Sequence, residues 1–193
     1  MSHKKSTLTA EEALEKLKAG NEEYLRNNTN GADVSAEKRK ETAENGQSPY
    51  AIIISCSDSR VIPETIFSAG IGELFVIRVA GNVIDNHQLG SIEYAADHLG
   101  TSLIVVLGHT HCGAVDAAIN SDPEGYIKFI TDEIKTAIGD EKDADKACML
   151  NVMHSVEYIE SSLRIKEDED NFGLKVIPAV YDIAAGKVKF GNL

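Results

Sequence analysis

Apolar positions along this chain fall into short unbroken runs separated by stretches in which they recur every three or four residues. The runs 50–55, 74–79 and 102–107 begin one or two residues after Pro49, Gly72 and Gly100 and have the length of strands covered on both faces. Between and around them the helical spacing appears. Thr9 and Glu12 have capping-box spacing, and Ala13, Leu14, Leu17, Tyr24 and Leu25 then predict an amphipathic N-terminal helix to Arg26. Turn formers at Asn27, Asn28, Asn30 and Gly31 end it, and a polar segment through Gln47 leads to the first strand. Further helices are predicted at 62–69, at 88–99 before Gly100, and from Asp122-Pro123-Glu124 to Ile138 before Gly139. Another begins near Asp145, with Leu150, Met153, Val156, Ile159 and Leu163 as its apolar face, and the acidic run Glu167 to Asp170 reads as a solvated loop. A fourth strand at 174–181 turns at Ala184-Ala185-Gly186 into a short antiparallel strand, 187–190. Such alternation predicts an α/β fold: a central, mainly parallel sheet flanked by helices, with an N-terminal helical arm and a C-terminal antiparallel edge strand.

Length and charge narrow this picture. The chain of 193 residues suits one domain spanning 1–193, with the arm at about 9–26 and the α/β core at 50–190. Thirty-one acidic against 19 basic residues give a net charge of -12, which argues against nucleic acid and anionic membranes as partners. No apolar run approaches the roughly 20 residues of a membrane span, and the start Met1-Ser2-His3-Lys4-Lys5 leads into polar helix without a signal-peptide core. Three cysteines do not build a disulfide scaffold, so a reducing, cytoplasmic setting is expected, with Cys148 packed in a helix.

The chemistry gathers at two strand ends. Cys56, Asp58 and Arg60 follow the first apolar run, and His109 and Cys112 follow the third. In a parallel sheet, functional groups collect beyond the carboxyl ends of strands, and thiolate, imidazole and carboxylate are zinc ligands. A lone Cys or His is more often an ordinary packed residue; joint placement favours a metal. Cys56, His109 and Cys112 supply three ligands, and a fourth tetrahedral position falls to water in a catalytic site or to Asp58 in a closed one. Asp58 and Arg60 can form a bidentate pair that holds the carboxylate off the metal. A structural zinc would ask for four protein ligands, and a redox pair for closer cysteine spacing.

Cys56-Asp58-Arg60 and His109-Cys112 match the C-x-D-x-R and H-x-x-C signatures of the β-class carbonic anhydrases. With Gln47-Ser48-Pro49, residues 73–78 and Ile92 to Ala95, the chain resembles that family over roughly residues 9 to 191. The resemblance implies reversible hydration of carbon dioxide to bicarbonate through a hydroxide on one Zn2+ per chain, with Asp58 and Arg60 catalytic. It implies a substrate pocket of Gln47, Phe75, Ala80, Tyr94 and Gly113, some of them from a neighbouring subunit, and hence a homodimer or dimer of dimers whose N-terminal arm packs on the partner. His98 matches a proton-shuttle position; His87 and His111 are undecided. Ile53 stands where bicarbonate-gated members carry Trp, in a chain with no Trp, so an ungated, open site is expected. Ala80 widens the pocket relative to larger residues in relatives. The alternatives are hydrolysis of carbon disulfide or carbonyl sulfide at the same site, or a non-catalytic protein stapled by zinc.

Overall fold

The computed structural model describes residues 8–193, and the N-terminus Met1-Ser2-His3-Lys4-Lys5 lies outside the described residues. One sheet carries β1 (Ala51–Ser55), β2 (Leu74–Arg78), β3 (Leu103–His109), β4 (Lys175–Asp182) and β5 (Lys187–Phe190) in the order β2-β1-β3-β4-β5. The first four are parallel, and β5 is the antiparallel edge. Every residue of β1 and β3 is buried, which is why both read as unbroken apolar runs. Because side chains alternate across a strand, Ile53, Val105, Leu107, Ile177 and Ala179 face one layer, while Ile52, Ile54, Ile104 and Val106 face the other. The second layer is built by α4 (Asn86–Leu99) and α7 (Ala144–Glu160), through Ile92, Ala95, Val152, Val156 and Ile159.

The first layer is α1 (Ala10–Asn27), opened by the expected capping box at Thr9 and Glu12. Its apolar face, Ala10, Ala13, Leu14 and Leu17, is buried against the chain's own sheet. Gly20 permits the close approach: a Cβ there would stand 1.9 Å from the Phe67 carbonyl oxygen. Buried Asn21 then clasps the helix in place, donating through Nδ2 to the carbonyls of Ile66 (3.1 Å) and Gly186 (3.0 Å) and accepting from the Val188 N–H (3.0 Å). Asn21→Ala strands these buried groups and is expected to cost about 2–4 kcal/mol, a fall in melting temperature of roughly 4–16 °C. Thermal denaturation followed by circular dichroism checks this.

Several elements differ from the pattern-based expectation. The polar segment before β1 contains α2 (Ala36–Asn45), capped by Ser35; it buries no residue, so it has no apolar period to read. The short helix expected at 62–69 is only α3 (Pro63–Ile66). Asp122-Pro123 does not start a helix: Gly125 takes φ +68, α6 (Ile127–Ile138) begins after it, and the Asp122 carboxylate instead receives Lys128 and Lys135. α7 turns Ala147, Cys148, Asn151 and Val152 inward, leaving Leu150 and Met153 exposed. Leu163 opens a separate helix, α8 (Leu163–Phe172), capped by Ser162, and is 78% exposed. The acidic run 167–170 therefore lies within α8 rather than a loop, with Asp168 buried. Arg164 ties α8 to α4 by hydrogen bonds to both oxygens of Asp97. No described helix is long and apolar enough to cross a membrane.

Candidate metal centre

β1 and β3 are neighbours, with Ser55 opposite Leu107, so the residues at their carboxyl ends meet. Cys56 follows β1 directly. β3 runs two residues further than its apolar stretch and ends at His109, and Cys112 is the N-cap of α5 (Gly113–Asn120), a helix the sequence pattern did not reveal. The ligand atoms of Cys56, His109 and Cys112 all lie within 4.8 Å of one another, and the residues are 4%, 0% and 7% exposed. A tetrahedral zinc with bonds of about 2.3 Å to sulfur separates two thiolates by about 3.8 Å, so the group has the right size.

The donor set also has the right electronic state. His109 Nδ1 contacts the Thr110 carbonyl at 2.9 Å, which assigns the ring proton to Nδ1, while the buried Nε2 has no hydrogen-bond partner among the described residues. An imidazole nitrogen kept dry beside two sulfurs, its ring oriented through the other nitrogen, is the arrangement a metal needs. Cys56 Sγ accepts N–H groups from Gly81 (3.2 Å) and Asp58 (3.4 Å). The hydrogen bond from the Cys112 thiol, then the neighbouring His109 imidazole and these backbone donors, outweigh burial and hold Cys56 well below the ordinary thiol value; Cys56 and burial push Cys112 up. Metal would take the place of that shared thiol proton. Two sulfurs and an imidazole fit zinc better than a hard cation.

Asp58 stands off from this group. Its Oδ1 accepts from Arg60 Nε and from the Arg60 backbone N–H, each at 2.9 Å, and its Oδ2 accepts from Arg60 Nη2 at 2.7 Å. Arg60 Nη2 also donates to the His111 carbonyl at 3.1 Å, joining the β1 and β3 loops, and exposed His111 takes φ +55 to present that carbonyl. Arg78, at the end of β2, donates to the carbonyls of Cys56 (3.1 Å) and Asp58 (2.8 Å). The Arg60 hydrogen bond holds the Asp58 carboxyl down at about 2, so it is ionised at neutral pH. Being depressed, it contributes stability that is complete above the unfolded value of about 3.9 and is lost as pH falls towards 2.

The other sequence-predicted residues divide. Gly113 opens α5 directly after Cys112 with open space where a side chain would stand, and Ala80, half-buried, lies in a 3-10 turn (Ala80–Asn82) that touches Cys56 through Gly81. Gln47, Phe75, Tyr94 and His98 are not brought to the metal group within one chain. Gln47 is exposed before the opposite end of β1, and Phe75 pairs with Ile52, four residues or about 13 Å back along the strand from Cys56. Phe75, Tyr94 and His98 form their own aromatic row beside the unpaired edge of β2, with centroids 6.3 Å and 5.1 Å apart, and Tyr94 is 47% exposed. His87 is exposed near Asp85. Cys148 packs in α7 as expected and donates its thiol to the His109 carbonyl at 3.3 Å. Gly81 and the buried Asn151 that holds it were missed; the only sequence signals were a Gly-Asn turn after β2 and a polar residue on the buried side of α7.

A buried Cys2His group at the carboxyl ends of adjacent parallel strands, beside an Asp–Arg clamp, defines an α/β protein with a candidate metal centre. The family model for carbonic anhydrase matches residues 51–188, and the chain belongs to that family, in its β class. Carbonic anhydrase 2 of Mycobacterium tuberculosis is 43% identical over 131 residues, which are 65% of this chain and 63% of that protein. Among solved structures, a tetrameric β-carbonic anhydrase of Sordaria macrospora superposes with TM-score 0.74 at 29% identity, covering 82% of this chain and 88% of that one. A Coccomyxa β-carbonic anhydrase, solved with acetazolamide, gives TM-score 0.72 at 27% identity over 80% of this chain and 77% of its own. The mycobacterial match spans less than two thirds of that relative's length.

Proposed function

We propose that this chain catalyses the reversible hydration of carbon dioxide to bicarbonate and a proton at one zinc ion held by Cys56, His109 and Cys112. The observation that carries the reading is a buried set of three protein donors beside a carboxylate whose two oxygens are both engaged by Arg60. Zinc with three protein ligands keeps a position for water and can bring its pKa from 15.7 to about 7, supplying the nucleophile. That magnitude comes from a carbonic anhydrase with three histidine ligands; two thiolates make the metal less electrophilic.

The protein groups do the rest. Asp58, ionised and fixed, accepts a hydrogen bond from the attacking oxygen and turns its lone pair towards carbon. Arg60 keeps that carboxylate in the accepting position rather than on the metal. Ala80 and the bare backbone at Gly113 leave room for a small apolar substrate. Gln47, Phe75 and Tyr94 would complete the pocket from a second copy of the chain, because their own chain places them away from its metal group. The active unit is therefore a homodimer, or a dimer of dimers like the tetrameric Sordaria enzyme. His98, in tilted ring contact with Tyr94, would sit at the same interface, where it can relay the proton. Residues 1–193 act as one domain, and three unpaired cysteines suit the cytoplasm.

A structural zinc would be saturated by four protein ligands, whereas this group offers three. No observation favours sulfur analogues over carbon dioxide. Stopped-flow hydration of carbon dioxide, run beside sulfide release from carbon disulfide, tests the choice: hydration at least 100-fold the faster is expected, and the reverse order would assign the site to the sulfur compound.

A further inference from the structure

Gly81 takes φ +68 and Asn82 takes φ +47, two successive left-handed residues in the turn beside Cys56. For Asn this costs of order 1 kcal/mol, and such a conformation persists only where the surroundings impose it. Here they do. On one side, a Cβ at Gly81 would stand 2.7 Å from Ile134 Cδ1 and 3.1 Å from Ala114 Cβ, so the peptide is boxed in. On the other, α7 supplies two buried donors: Asn151 Nδ2 to the Gly81 carbonyl at 2.8 Å and Ser155 Oγ to the Asn82 carbonyl at 3.2 Å. The Gly81 N–H points the opposite way, to Cys56 Sγ at 3.2 Å.

We infer that Asn151 is a positioning residue for the metal centre: by gripping the Gly81 carbonyl it aims the Gly81 N–H at the Cys56 sulfur. This rests on reading Cys56, His109 and Cys112 as a zinc site. An N–H donor on a coordinating thiolate draws electron density from the sulfur, fixes its direction and partly offsets the loss of electrophilicity that two thiolates bring. α7 reaches the opposite side of the centre as well, through the Cys148 thiol on the His109 carbonyl. One helix thus steadies ligands from two strands, and Asn151 holds the residue whose N–H meets Cys56.

The test is zinc retention by the full chain against a competing chelator, together with the thiolate-to-cobalt charge-transfer band of the cobalt-substituted protein. Asn151→Ala is expected to weaken zinc binding 10- to 100-fold and to shift that band to longer wavelength, since a thiolate without its donor gives up an electron more easily. Asn21→Ala, which breaks a buried asparagine clasp remote from the metal, serves as the stability control and should leave affinity and band in place. Wild-type affinity and an unshifted band in Asn151→Ala would overturn the inference, as would an equal loss in both variants. If Asn151→Ala does not fold, Ser155→Ala reads the same turn, with a several-fold weakening expected and none contradicting it. Failure of the wild-type chain to bind zinc would instead sink the underlying reading of the site.

Discussion

Cys112→Ala is expected to lose its zinc during dialysis against a chelator and, with it, essentially all carbon dioxide hydration. Structural zinc sites with four ligands bind with about 10–16 kcal/mol, so one ligand is worth about 3–4 kcal/mol, roughly 10²- to 10³-fold in affinity. The loss should fall at the upper end. Cys112 sits at the N-cap of α5, where the positive end of the helix favours the thiolate once its proton has left, and no other described Cys or His brings a ligand atom into the group. The substitution removes only a sulfur atom from a buried site, so the fold should survive, which circular dichroism checks. Full zinc and wild-type turnover in this variant would show that the metal lies elsewhere.

Arg60→Ala should separate binding from chemistry. Arg60 makes three hydrogen bonds to the Asp58 carboxylate and one to the His111 carbonyl, and none to a metal-ligating atom. Of the three, the backbone N–H survives the substitution, whereas the two from the guanidinium do not. Asp58 is then free to rotate towards the metal, where a negatively charged oxygen competes with water for the fourth position. Zinc should stay near one per chain while kcat/KM for hydration falls about 10²- to 10³-fold, the range seen when a single fixed transition-state partner is removed. The Asp58 carboxyl, no longer held at about 2, should titrate nearer the ordinary 3.9. A rate within threefold of wild type would mean that Asp58 needs no clamp.

Much of this was legible in the chain because burial on both sheet faces leaves a local trace. β1 and β3 appear as unbroken apolar runs, and the candidate metal ligands lie at or just beyond their carboxyl ends. The C-x-D-x-R and H-x-x-C spacings are equally local, since each set of side chains converges within one loop. Residues without such a trace were missed. α2 buries nothing and so lacks apolar rhythm, while the Asp122-Pro123 signal was overridden by the left-handed turn at Gly125. The face of α7 was misread because its buried side includes Asn151 and Ser155, polar residues paired with carbonyls of the 3-10 turn. Asn151 and Gly81 are 70 residues apart, and Gly81 and Cys56 are 25 apart, so only the folded chain brings the three together. The packing of α1 was also invisible in its sequence: an amphipathic face states that it will be covered, not by which chain.

The most direct test of the central claim is the carbon dioxide hydration rate, measured by stopped flow at pH 7 to 8.5, as zinc is added back to metal-free protein. The rate should rise in proportion to bound zinc and stop rising at one per chain. Full occupancy with no hydration across that pH range would contradict the account and leave the metal a structural role.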